Sequence, residues 1–85
     1  MIIIKLSNKQ FKCLDECLSE HQNLKLRLQI NKEKKFININ LDEDTMDEIR
    51  DLIGIELQRK GFDVNYELTS EGVILEELVD LFYLE

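Results

Sequence analysis

Eighty-five residues with a formal net charge of -7 allow one small domain, in which every apolar element must reach the same core. A 44% hydrophobic and 34% charged composition excludes a disordered chain, and no apolar run approaches the ~20 residues of a membrane span. No proline and only three glycines leave no room for a linker, so residues 1–85 read as a single domain without repeats.

The opening "MIIIKL" alternates, with Ile2, Ile4 and Leu6 on one side, and predicts a short strand. It lacks the basic leader and long apolar stretch of a signal peptide. Ser7 with Gln10 three residues on forms a capping box, and Leu6 and Phe11 have staple spacing, so a helix is expected from there to about His21. "NLKLRLQIN" then reads as the clearest strand, with Leu24, Leu26, Leu28 and Ile30 on one face. "FININL" resumes the alternation with Ile37, Ile39 and Leu41, and the charged "KEKK" between the two runs predicts an antiparallel hairpin.

In "LDEDTMDEIRD", Asp42 occupies the N-cap position of a second helix, and Leu41 and Met46 have staple spacing. Glu43 and Asp44 fall in its first turn, where negative charge meets the positive end of the helix dipole. Met46, Ile49, Leu52, Ile53 and Leu57 form the expected buried stripe. Gly61 is the expected C′ residue, with Phe62 closing on Leu57. Residues 62–68 read as an extended connection rather than a strand. Thr69 caps a third helix whose inner face is Ile74, Leu75, Leu78 and Phe82. The order β-α-β-β-α-α predicts an α+β domain, a small mainly antiparallel sheet covered by about three helices.

Most chemistries fail on spacing. Counted from Asp42, the EF-hand glycine and bidentate glutamate positions hold Asp47 and Ile53, which excludes that calcium loop. Cys13, Cys17 and His21 are expected on one helix face, but the outer two would lie ~12 Å apart and no second ligand cluster completes a zinc site. No metal or cofactor is therefore expected, and the two thiols suit a reducing, cytosolic setting. With one histidine, no oriented nucleophile and no phosphate loop, catalysis is not the expected function.

Charge is unevenly placed. Residues 1–40 hold eight basic and four acidic side chains, whereas residues 41–85 hold three basic and fourteen acidic ones. Asp44, Asp47, Glu48 and Asp51 stand at i, i+3, i+4 and i+7 on one helix face, a candidate surface for a basic protein partner. Val79, Tyr83 and Leu84 widen the apolar face of the last helix beyond what one core needs, a candidate patch for a homodimer or a partner. Lys25, Arg27, Lys32, Lys34 and Lys35 with Phe36 give a basic ribbon of the kind that reads nucleic acid, which the overall acidity disfavours.

The segment "DEIRDLIGIELQRKGFDVNYELTSEGVILEELVDLF" resembles the closing part of small bacterial proteins, some of them similar to immunity proteins, the dedicated inhibitors encoded beside secreted toxins. The resemblance implies a stand-alone cytosolic binder, acidic because many such targets are basic nucleases. It brings no catalytic or binding motif with it.

Overall fold

The computed structural model describes residues 1–83 and has the α+β architecture expected from the pattern. Its elements are β1 (Ile2–Leu6), α1 (Asn8–Cys17), α2 (Gln22–Lys25), β2 (Gln29–Lys32), β3 (Ile37–Leu41), α3 (Glu43–Lys60) and α4 (Ser70–Leu81). Apart from the single turn of α2, this is the order β-α-β-β-α-α. The strands form one antiparallel sheet in the order β1-β3-β2, with β3 in the centre.

Alternation decides the faces of that sheet. Ile4 pairs with Ile39 and Leu6 with Ile37, and all four point into the core with Leu41. The other face carries Ile3, Lys5, Asn38, Asn40, Gln29 and Asn31, and it is mostly polar. Leu14 and Leu18 from the α1 region, Met46, Ile49 and Ile53 from α3, and Leu75, Leu78 and Phe82 from α4 complete one apolar cluster. α4 lies across both α1 and α3, so the cluster is closed by helix-on-helix packing as well as by the sheet.

Each helix start follows local chemistry. Gln10 N–H donates to Ser7 Oγ at 3.1 Å while Ser7 N–H donates to Gln10 Oε1 at 2.9 Å, the reciprocal capping box. Asp42 accepts from Thr45 N–H at 2.7 Å, and Thr69 accepts from Gly72 N–H at 2.9 Å.

Three expectations need correction. α1 stops at Cys17, and its end tightens through Ser19 N–H to Glu16 O and His21 N–H to Leu18 O, so His21 lies outside α1 and becomes the N-cap of α2. The expected strand from Leu24 is half helix: Leu24 is buried in α2, and Leu26 is 83% exposed. The register explains this. Gln29 already pairs with Asn40, so extending β2 backwards would place Arg27 opposite Asp42, where β3 has given way to the cap of α3. A run with no partner strand gains nothing from alternation.

The third correction concerns Gly61. It ends α3 with right-handed torsions (φ -82, ψ -11) rather than the left-handed ones of a Schellman turn, and Phe62 faces solvent. Glycine is required there by close approach instead: a Cβ on Gly61 would lie 2.5 Å from the Leu57 carbonyl oxygen and as close to Leu57 Cδ1. The Gly61 carbonyl accepts from Thr69 N–H at 2.8 Å and from the Thr69 hydroxyl at 3.2 Å, and a Cβ on Gly72 would lie 2.0 Å from that same oxygen. The C-terminus of α3 and the N-terminus of α4 thus cross backbone to backbone.

Candidate functional site

The carboxylates of α3 stand on a rigid support. Eighteen residues of helix, ~27 Å long, are fixed on the core by Met46, Ile49 and Ile53. The four predicted residues share this helix but differ in their surroundings. Glu48 is tied to Arg27, Oε2 to a guanidinium nitrogen at 2.5 Å. Asp47, half-buried, pairs with Arg50 at 3.0 Å. Asp44 and Asp51 are exposed and make no ion pair among the described residues. The unpaired part of this face is therefore narrower than the spacing suggested: among the described residues, two carboxylates without ion pairs, two turns apart, with a neutralised pair between them.

At the far end of α4, Val79 packs against the core cluster, while Tyr83 is 65% exposed. Leu84, the third residue expected in that patch, lies outside the described residues. Arg50 organises this end. Its guanidinium lies 5.1 Å from the Tyr83 ring centroid and donates to the Phe82 carbonyl at 3.2 Å. Arg50, Gly54, Ile55, Val79 and Tyr83 line a shallow groove of about 520 Å³ between α3 and α4. Sequence reasoning missed Gly54 and Ile55 here. The signal was available, since Gly54 interrupts a helix and Ile55 falls off its apolar stripe.

The basic ribbon is largely dispersed. Lys25 pairs with Asp15 and Arg27 with Glu48, and both stand before the hairpin begins. Lys32, Lys34 and Lys35 remain on it, and Phe36 is half-buried with the Lys5 ammonium 4.1 Å from its ring centroid. The Lys5 ammonium thus occupies one face of the Phe36 ring.

Cys13 and Cys17 are buried free thiols one turn apart on α1. Among the described residues no group of three His, Cys, Asp or Glu side chains could hold a metal ion. Burial pushes the Cys17 thiol up to about 12, reinforced by the neighbouring Cys13, and burial likewise raises Cys13. Both thiols therefore stay protonated at neutral pH to a greater degree than an ordinary cysteine. Both thiols are expected to resist a disulfide reagent in the native protein and to react at once in denaturant; rapid labelling of the native state at pH 8 would show that α1 is not seated as described. The linkage has a definite sign. Between pH 9 and 12 the native state keeps a proton that the unfolded chain has lost, so this contribution is intact below pH 9 and declines as pH rises through that window.

No helix among the described residues is long and apolar enough to cross a membrane. Comparisons with family models, with curated proteins and with solved structures return no match.

Proposed function

We propose that this chain is a non-catalytic binding protein, an acidic inhibitor of the immunity type that acts in the cytosol by docking α3 on a basic protein partner. The supporting observation is the pair Asp44 and Asp51, exposed and without ion-pair partners among the described residues, on a long helix anchored in the core. Carboxylates held this way steer a basic partner and set its register, and their effect fades as salt screens them. The neighbouring chain adds to the field, since residues 61–85 carry seven carboxylate side chains and no Lys, Arg or His.

Asp44→Lys with Asp51→Lys is the informative variant, because neither change breaks an ion pair among the described residues. Expected is a basic protein captured by the wild type at low salt, with the variant's association rate reduced at least ~10-fold and its salt dependence flattened. Identical capture by both proteins at both salt concentrations sinks the reading.

A second reading, a symmetric homodimer through the groove between α3 and α4, is favoured by Gly54. Nothing among the described residues outside the helix's own backbone lies within 4 Å of where its Cβ would be, so no contact among them calls for a glycine in the middle of α3. Exposed Ile55 and Tyr83 beside it are the side chains such a dimer would cover.

A further inference from the structure

The connection between α3 and α4 is built to hold its side chains out. Phe62 and Leu68 meet in a single antiparallel bridge. Inside that closure Asp63 acts as the hub. Its N–H donates to Glu67 O at 2.8 Å and its carbonyl accepts from Tyr66 N–H at 3.0 Å. Its carboxylate accepts from the N–H groups of Asn65, at 2.8 Å, and Glu67, at 3.1 Å. Held in this ring, Tyr66 takes a φ of 61°, left-handed torsions that a bulky residue rarely adopts. The outcome is display: Val64 is 92% exposed and Tyr66 88% exposed. A valine and an aromatic carried on a backbone held this way lose little backbone freedom on docking, and tyrosine is among the residues that anchor interfaces most strongly.

The surroundings of this knob say what it fits. Asp63 and Glu67 flank it and no basic residue follows Lys60, so the complementary surface is an apolar recess with a basic rim. The chain carries such a recess. An open concavity of about 880 Å³ lies between the β1–α1 junction and the β2–β3 turn. Phe36 and the edge of Leu6 supply its apolar lining, and Lys5, Lys34 and Lys35 its charge, with Glu33 the one acid. None of the three lysines makes an ion pair among the described residues. Within one chain the two features do not meet, because Val64 and Tyr66 remain in solvent.

We propose that a second copy of this chain supplies the occupant: Val64 and Tyr66 of one copy seat against Phe36 of the next, with Asp63 and Glu67 facing Lys5, Lys34 and Lys35. Such a contact joins two different surfaces, so it propagates head to tail instead of closing at two. It is small and belongs with weak, transient interfaces. It is independent of the acidic face of α3 and of the groove beside Gly54.

Complementation tests it. Val64→Asp with Tyr66→Gly removes the knob while suiting the backbone at position 66 to its torsions. Lys34→Glu with Lys35→Glu inverts two exposed rim charges. In sedimentation velocity the wild type is expected to exceed dimer mass as concentration approaches roughly 1 mM, and to lose most of that association on adding salt. Each double variant alone is expected to stay monomeric, with association at least tenfold weaker. Mixed one to one, they retain one intact knob and one intact recess and are expected to stop at a heterodimer. A monomeric wild type, a mixture that does not pair, or association that survives in both variants alone overturns the proposal; the last result assigns self-association to a symmetric patch such as the α3–α4 groove.

Discussion

Replacing Gly72 by alanine is expected to destabilise the fold by about 3 kcal/mol or more, the upper end of what overpacking costs. The cause lies in which atoms are in the way. A Cβ at this position would stand 2.0 Å from the Gly61 carbonyl oxygen, with the Gly61 carbonyl carbon and Cα at 2.8 and 2.9 Å. These are backbone atoms, so no side-chain rotation relieves them. Moving α4 away would break the two hydrogen bonds from Thr69 to Gly61 and open the core at Leu75 and Leu78. Gly54→Ala is the natural control. Its Cβ would meet nothing within 4 Å among the described residues, in a helix interior where alanine is favoured over glycine by about 0.5–1 kcal/mol. Urea denaturation should move the two variants in opposite directions. A Gly72→Ala protein within ~0.5 kcal/mol of wild type would mean that α3 and α4 do not cross this closely.

That crossing also bears on recognition. It sets where the loop 62–68 begins and ends, and hence where Val64 and Tyr66 point. It sets the width of the groove beside Gly54 as well. A glycine pair eleven residues apart therefore governs two candidate surfaces without belonging to either.

What could be read from the chain was what neighbouring residues decide among themselves. Ser7, Asp42 and Thr69 bond to groups three residues away, and all three caps are present. Strands β1 and β3 are paired along their full length, so alternation and burial agree in them. The stretch Leu24 to Ile30 alternates as cleanly, yet its fate depends on how far β3 extends, and β3 ends because Asp42 caps a helix. Pairing distant in sequence overruled a local pattern. The same limit applied to function. Helical spacing places Asp44, Asp47, Glu48 and Asp51 together, but Arg27, which neutralises Glu48, comes from twenty-one residues upstream. The alternation of Phe62, Val64, Tyr66 and Leu68 was visible too. That its second and third members are held outward is the work of the Asp63 ring, which alternation does not encode.

The other large effect is expected at Phe82. Its side chain is fully buried at the end of α4, among the largest such residues in the core. Phe→Ala at a site of this kind removes the transfer energy of the ring and leaves a cavity, together about 3–5 kcal/mol. A domain of this length has a total stability of roughly 4–13 kcal/mol, so the substitution removes a large share of it. The loss is also hard to relax away, because Phe82 is tied to α3 through its carbonyl. Its carbonyl accepts from Arg50 at 3.2 Å, and Arg50 is itself held by Asp47 at 3.0 Å. Collapse of α4 into the cavity would pull on that link. Tyr83→Ala, one residue on, should cost less than ~1 kcal/mol, since the ring is 65% exposed and its contact is the guanidinium face of Arg50. Thermal and denaturant unfolding of the two single variants separates them. A Phe82→Ala protein that unfolds cooperatively with a loss below ~1 kcal/mol would place the ring outside the core. The contrast fixes how this end of the molecule must be probed. Any partner lost on changing Phe82 is lost with the fold, whereas a partner lost on changing Tyr83 in a protein of unchanged stability was bound at that surface.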